Sequence, residues 1–368
     1  MSTKKDKFSS KEKNYMRLAL DLARARKGLT GDNPSVGCVI VKKNQIISIG
    51  QTGYNGRPHA ETNAINNAFQ SISGSEMYVS LEPCNHYGKT SPCTNRIIKS
   101  GINKVYYCID DIDQKVKGKS FKILKDKNIH VKRGILEKNA IDLYNSYKVN
   151  RKNKLPYVVG KIAISKNKLI YSKGTKRITD KYSDKLTHYL RYKNDAIMIS
   201  SKTLNIDNPK LNCRLKGLEN FSPRRIILDK LLTIKLNSYI IKSSKKENNI
   251  IFHNSTNSLK IKSLKKRGLY LIKLSFDKKG HFDLKKILKR LFKLGIRNLL
   301  VEGGDNLTKK FLEKRLFNEF YLFRSPKILS KSNKHQFFTS QGILNTTYNR
   351  KFKFSSKLAK DNITIYKR

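Results

Sequence analysis

The order His59-Ala60-Glu61, then Pro83-Cys84, then Pro92-Cys93, constrains this chain more than any other feature. One imidazole and two thiols carried on three separate segments can act together only in a fold that returns all three to one point. Two thiolates and a neutral imidazole supply three protein ligands for zinc and leave the fourth tetrahedral position to water, which separates a catalytic zinc from a closed structural one. Water on zinc ionises near neutral pH, and a carboxylate that is not a ligand can carry its proton to a ring nitrogen and a departing amine. Glu61 suits that task. It lies two residues beyond His59, so on a helix the two side chains diverge, the imidazole toward a metal and the carboxylate over a substrate.

Local signals agree. Residues 60–69 contain neither Gly nor Pro and read as a helix, with His59 in its first turn after Pro58. A second helix over residues 93–99 opens on Cys93 just after Pro92 and stops before Gly101. Helix N-termini, with their exposed amides, favour a thiolate. Cys84 falls on the loop leaving a strand at residues 77–81. Any one of these pieces matches by chance in most sequences; all of them in order within about 35 positions, each beside a suitable element, do not. Together they form the inventory of a zinc-dependent nucleobase deaminase.

The cysteine spacing narrows the reading. Nucleic-acid and nucleoside deaminases commonly carry Pro-Cys-x-x-Cys, whereas eight residues separate Cys84 from Cys93. The segment Pro83-Cys84-Asn85-His86-Tyr87-Gly88-Lys89-Thr90-Ser91-Pro92-Cys93 resembles the Pro-Cys-x-His-x-Gly-x-x-x-Pro-Cys loop of the bifunctional riboflavin-biosynthesis deaminase/reductase family. Asn33-Pro34-Ser35-Val36-Gly37 is similar to that family's opening strand. The resemblance implies that His59, Cys84 and Cys93 hold zinc, that Glu61 is catalytic, and that Asn33 and His86 line the pyrimidine pocket. Taken alone, His86 reads better as a loop histidine with a solvent or backbone partner.

At 368 residues the chain exceeds one such unit, and two domains are expected, over residues 9–150 and 155–368. Arg151-Lys152-Asn153-Lys154 before Pro156 marks the boundary. In the first part a helix over residues 11–27, capped by Ser9 or Ser10 and closed by Gly28, precedes strands near Val36, Ile46, Met77 and Lys104, and a linking helix runs over residues 137–150. This is an α/β layer pattern. The second part opens on a buried strand at residues 157–164. Apolar runs follow at 196–199, 225–228, 250–252, 269–274 and 298–301, with helical patterns at 181–192 and 284–294, again an α/β sheet. The resemblance implies an N-terminal cytidine-deaminase-like three-layer α/β/α domain and a C-terminal dihydrofolate-reductase-like α/β domain that uses NADPH.

Residue matches in the second part are scattered but ordered. Residues 201–214 are similar to the family's Thr-x-x-x-Asp-Asp-Pro-x-Leu-x-x-Arg segment, with Asn208 in place of the second Asp. By that resemblance Thr203 and Asp207 contact the cofactor, while Leu211 and Arg214, with Arg191, hold the phosphoribosyl part of the substrate. Arginine suits this because its planar fork matches phosphate oxygens. Val301-Glu302-Gly303-Gly304-Asp305-Asn306-Leu307 resembles the family's strand-to-helix turn, where glycines let the backbone approach a pyrophosphate and helix amides bind it. As a bare pattern, Gly-Gly after a strand is a simple turn signal. The resemblance implies substrate contact for Glu302 and Thr175, and cofactor contact for Gly303, Gly304, Asp305, Asn306, Leu307 and Thr308, together with Lys161, Ala163 and Arg177. Lys161 on its own reads equally as a strand-end lysine that snorkels to solvent. Departures from the family stand at Ser165-Lys166-Asn167-Lys168, where Ser-x-Asp-Gly is usual, and at Thr175-Lys176-Arg177-Ile178-Thr179, where Ser-x-Trp-Ile-Thr is usual. They leave open a deaminase whose second domain is degenerate.

A net charge of +52, from 79 Lys plus Arg against 27 Asp plus Glu, raises a rival reading, a zinc deaminase acting on RNA. The basic residues are spread along the whole chain and are mostly lysine. With frequent Asn and Ile this composition reads as AT-rich codon bias and a solvated surface. An RNA deaminase would carry the short Cys-x-x-Cys and need no dinucleotide loop, and a non-catalytic zinc module would lack Glu61. Cys38, Cys108 and Cys213 are an odd remainder that suits a reducing cytosol. The charged start has no apolar signal core, and no apolar run approaches the roughly 20 residues that span a bilayer. The expectation is a cytoplasmic homo-oligomer with one Zn2+ per deaminase site and NADPH, acting on small phosphoribosyl pyrimidines, with no nucleic-acid or membrane partner. The resemblance implies deamination of diaminohydroxyphosphoribosylaminopyrimidine and then reduction of the product's ribosyl group to ribityl.

Overall fold

Ser9 and Glu12 start the first helix reciprocally. The Ser9 hydroxyl accepts the Glu12 amide at 3.2 Å, and the Glu12 carboxylate accepts the Ser9 amide at 2.6 Å. The helix, α1 (Ser10–Arg26), turns Met16, Ala19, Leu20 and Ala23 inward. The structure, a computed structural model, describes residues 7–173, 177–247, 249–331, 335–348, 350–354 and 360–368. It divides into two compact units, residues 1–154 and 155–368.

The first unit is built on β1 (Gly37–Lys42), β2 (Gln45–Gln51), β3 (Glu76–Val79), β4 (Lys104–Tyr107) and β5 (His130–Arg133), in the order β2-β1-β3-β4-β5. Strand β1 runs antiparallel to β2 and β3, while β3, β4 and β5 are parallel. Cys38, Val39, Ile40 and Val41 are all buried, so β1 is covered on both faces and reads as an unbroken apolar run. Helices α2 (Ala60–Asn66), α3 (Cys93–Lys99) and α4 (Lys119–Lys125) complete the layers. Two glycines set how close the helices come. A Cβ on Gly37 would overlap the Ala19 carbonyl of α1, and one on Gly50 would overlap the Ala60 carbonyl and Ala64 amide of α2. The sheet therefore accepts these helices at backbone contact only because both positions lack a side chain.

Three local expectations change. Helix α2 begins at Ala60 with His59 as its extended N-cap and stops at Asn66. The linking helix is two helices, α5 (Glu137–Leu143) and α6 (Asn145–Asn153), broken at Tyr144. Tyr144, at φ −87° and ψ 8°, stands outside both helical runs and is buried with its hydroxyl 2.6 Å from Ser80 Oγ. Strand β5 was not anticipated, since His130-Val131-Lys132-Arg133 carries mostly charge and joins the sheet by pairing with β4.

The second unit holds β6 (Tyr157–Ile164), β8 (Ala196–Ser200), β9 (Arg224–Leu228), β10 (Ile250–His253), β11 (Tyr270–Lys273), β12 (Asn298–Val301), β13 (Glu319–Arg324), β15 (Arg350–Phe354) and β16 (Asn362–Lys367). Their order is β11-β10-β9-β8-β12-β6-β13-β16-β15, parallel from β11 to β13 and antiparallel through β16 and β15. A separate ribbon pairs β7 (Leu169–Ser172) with β14 (His335–Phe337). Strands β6 and β12 and their parallel neighbours end on one side, and ligands of open parallel sheets bind beyond such carboxyl ends. Helices α7 (Lys181–Tyr192) and α8 (Ser201–Asp207) flank that edge. Among the described residues no helix is long and apolar enough to cross a membrane.

Candidate active sites

In the first unit, loop and helix starts converge. His59 Nδ1 lies 3.3 Å from Cys93 Sγ and 3.5 Å from Cys84 Sγ, and the Cys93 amide points at Cys84 Sγ at 3.3 Å. The three ligand atoms lie within 4.8 Å of one another, and no second cluster of this kind exists among the described residues. Zinc bonds of about 2.3 Å to sulfur and about 2.0 Å to nitrogen at tetrahedral angles put nitrogen and sulfur about 3.5 Å apart. The donor set therefore fits zinc in both type and spacing.

Charge is arranged to suit a cation. A hydrogen bond from the Cys93 thiol, with further help from His59 and the Cys93 amide, pulls the Cys84 thiol down to about 4, so it is a thiolate at neutral pH. The same bond and its burial raise Cys93, so one proton stays with the pair, and binding a divalent cation would displace it. Glu61 is 4% exposed, and burial pushes its carboxyl up to about 7 against the pull of His59. A carboxyl poised there can both take and give a proton.

A cavity of about 100 Å³ opens over these groups, lined by Asn33, His59, Glu61, Cys84 and His86. The Asn33 amide donates to the Gly56 carbonyl at 2.9 Å, which orients its oxygen. The lining also includes Arg57, Thr90, Asp111, Asp113, Tyr147 and Arg151, none of which the sequence reading placed in the site. Asp110-Asp111-Ile112-Asp113 after β4 was the available signal, but nothing in its spacing ties it to the metal motif. Glu82 makes that tie. It accepts the amides of Asp111, Gly118 and Ser120 at 2.9–3.0 Å, and Ser120 Oγ donates to the Pro83 carbonyl at 2.6 Å.

The second unit holds a cavity of about 980 Å³ at the carboxyl ends of β6, β8 and β12. Of the residues expected there, Lys161, Ala163, Arg177, Arg191, Thr203, Asp207, Arg214, Glu302, Gly303, Gly304, Asp305, Asn306 and Leu307 line it. Thr175 lies outside the described residues. Leu211 and Thr308 do not reach the cavity: Leu211 is 4% exposed, and Thr308 is 1% exposed within the helix Asp305–Glu313. Arg191 is placed differently from a free phosphate clamp. Its Nε and Nη2 grip the two Glu302 oxygens at 2.8 and 2.9 Å, with both side chains 11% exposed. Burial alone would raise Glu302, but Arg191 and Lys161 outweigh it and hold the carboxyl below its usual range. Burial lowers the Lys161 ammonium in turn. His188, missed in the sequence, lines the same wall and accepts the Arg214 amide at 3.2 Å.

The helix Asp305–Glu313 begins at Gly304 without a side-chain cap, its first residues line the cavity, and a Cβ on Gly304 would stand 3.5 Å from Gln336 Oε1. Open amides at a side-chain-free turn, in a cavity of this size, fit a dinucleotide. The departures from the family mostly fall elsewhere. Asn167 forms a turn, bonding Ser165 Oγ at 2.7 Å and the Leu329 carbonyl at 2.8 Å, with Lys168 left-handed at φ 63°. Asn208 closes α8 at φ 41° and accepts the Tyr239 amide at 2.8 Å. Arg177 does line the cavity, and its Nε meets Asp184 at 2.8 Å.

Fold and sites together define an enzyme made of a zinc-deaminase unit followed by a reductase unit. Residues 9–109 match the cytidine and deoxycytidylate deaminase zinc-binding region, and residues 156–364 match the RibD C-terminal domain. The chain is 37% identical over 322 residues to the riboflavin biosynthesis protein RibD of Aquifex aeolicus, covering 87% of this chain and 88% of that one. It is 33% identical over 320 residues to the protein of the same name from Bacillus amyloliquefaciens, covering 86% and 85%. The crystal structure of a diaminohydroxyphosphoribosylaminopyrimidine deaminase/5-amino-6-(5-phosphoribosylamino)uracil reductase from Thermotoga maritima superposes with a TM-score of 0.80 at 28% identity, over 97% of this chain and 98% of that one. The chain belongs to the RibD family of riboflavin biosynthesis proteins.

Proposed function

We propose that this chain performs both steps named for its relatives. The first unit deaminates diaminohydroxyphosphoribosylaminopyrimidine, and the second reduces the ribosyl side chain of the resulting 5-amino-6-(5-phosphoribosylamino)uracil to ribityl. The observation that carries the reading is the His59, Cys84 and Cys93 cluster with a buried, near-neutral Glu61 in the same cavity. When bound, zinc supplies the Lewis acidity that makes water a nucleophile near neutral pH. Glu61 would carry one proton from the attacking water to the ring nitrogen and then the second, from the hydroxyl so formed, to the amine, which leaves as ammonia as the carbonyl forms. Asn33 and His86 orient the pyrimidine in the cavity.

In the second unit NADPH, when bound, supplies hydride to the sugar carbon. Gly303, Gly304 and the uncapped amides that follow cradle its phosphates, with Thr203 and Asp207 on the facing wall. Because Arg191 is held by Glu302, the grip on the substrate phosphate falls mainly to the more exposed Arg214, with Arg191 and Glu302 forming a fixed polar wall beside Lys161. Both substrates are small phosphoribosyl pyrimidines. The buried thiols of Cys38, Cys108 and Cys213 favour a reducing cytoplasm.

A coupled assay tests this. The zinc-loaded chain should release ammonia from the diaminopyrimidine and then consume NADPH absorbance. Glu61→Gln should keep zinc and lose at least about a hundredfold in ammonia release. Wild-type turnover in that variant defeats the proton-transfer assignment. No NADPH oxidation with the deaminated substrate leaves the chain a deaminase alone.

A further inference from the structure

The deaminase cavity contains two guanidinium groups in different states. Arg151 Nη1 lies 3.7 Å from Asp113, and its Nη2 lies 3.5 Å from the Asp32 carbonyl, so its charge is balanced. Arg57 Nη1 donates to Thr90 Oγ1 at 2.7 Å, a neutral partner. Its Nη2 passes beside Gly88, where a Cβ would stand 3.6 Å away. Glu61 lies at the buried floor, and the other carboxylates of the cavity are committed elsewhere: Glu82 to three amides, Asp113 to Arg151, and Asp111 to the Asp113 amide and the Tyr147 hydroxyl. Among the described residues, Arg57 thus offers a fork with most of its donors open and no carboxylate paired to it.

Burial tells which way the fork points. Cys93 and Glu61, at 1% and 4% exposure, form the floor, whereas His86, Gly88 and Thr90 are exposed and form the rim. Arg57 rises two residues before His59 and crosses to that rim. A pyrimidine with its amine at the floor must extend its phosphoribosyl tail toward the rim, where the tail ends in a dianion. An open arginine fork matches two phosphate oxygens at once.

We propose that Arg57, held by Thr90 at the rim of the deaminase cavity, binds the phosphate of the pyrimidine substrate and restricts the site to phosphorylated compounds. This rests on the deaminase reading above.

The experiment uses the full zinc-loaded chain, ammonia release from the phosphoribosyl diaminopyrimidine, and competitive inhibition by ribose 5-phosphate against ribose. Arg57→Ala should raise KM about tenfold or more and weaken ribose 5-phosphate inhibition by a similar factor. It should leave kcat within about twofold, and zinc content and inhibition by ribose unchanged, as expected for a group that binds ground and transition states alike. Arg57→Lys should fall between, keeping charge without the fork. Thr90→Val should show a smaller rise in KM, and these two variants decide the matter if Arg57→Ala does not hold zinc. An unchanged KM and unchanged ribose 5-phosphate inhibition overturn the proposal, as does a fall in kcat at constant KM. Wild-type chain that releases no ammonia from this substrate overturns the deaminase reading itself, an outcome distinct from failure at Arg57.

Discussion

Asp111 shows how the wall of the deaminase site is held at a cost. Its carboxyl is 6% exposed, and burial, with Asp113 and Glu82 nearby, pushes it up to about 6. An unfolded Asp titrates near 3.9, so between about pH 4 and 6 the native state keeps a proton that the unfolded chain has lost. Stability therefore falls as pH rises through that window, and above it the deficit levels off at about 3 kcal/mol. Asp111→Asn keeps an acceptor for the Asp113 amide, 2.9 Å away, and removes the buried charge. Its thermal midpoint should exceed that of wild type at pH 7.5, and the difference should vanish near pH 4; equal midpoints at pH 7.5 contradict the argument. At this scale the metal ligands and Glu61 were legible because their chemistry demands fixed residue types at short spacing. Asp111, Tyr147 and Arg151 were not, because each reaches the site from an element distant in sequence.

At the level of elements, the glycine at position 50 governs the catalytic helix. Gly50 on β2 lies under the first turns of α2, the helix whose start carries His59 and Glu61, and no Cβ fits between them. Gly50→Ala should displace α2, destabilise the chain by about 3 kcal/mol, and weaken zinc binding about tenfold. Denaturant unfolding and zinc titration by a chromophoric chelator measure the two effects; unaltered zinc affinity would show that α2 does not depend on this contact. Elements with strong signals, such as α1 with its Ser9 and Glu12 cap and the apolar strand β6, were readable from sequence. Strand β15 was not: Arg350-Lys351-Phe352-Lys353-Phe354 is exposed throughout and becomes a strand only because β16 supplies its backbone partners. Helices α5 and α6 read as one because Leu143-Tyr144-Asn145, where they break, contains neither Gly nor Pro.

For the whole molecule, the two sites draw on separate stretches of chain. The metal ligands lie between positions 59 and 93, whereas the reductase cavity is lined by residues between 161 and 337. Removing zinc with a chelator should abolish ammonia release and leave NADPH oxidation with the deaminated aminouracil substrate unchanged. A parallel loss of both activities would show that zinc supports more than its own unit. Of the departures at Asn167, Lys168 and Arg177, which in the sequence left a degenerate reductase open, the first two sit in a turn outside its cavity. Arg177 alone of them faces the cavity.

The sequence by itself determined the zinc chemistry, the α/β class of both halves and the family, because ligand identity, capping and apolar runs are local properties of the chain. Only the tertiary structure decided that Arg191 is spent on Glu302, that Leu211 and Thr308 stay out of the cavity, and that Arg57 stands open at the rim. The physical reason is that a side chain's charge and reach acquire meaning from their partners, and those partners lie far along the chain until it folds.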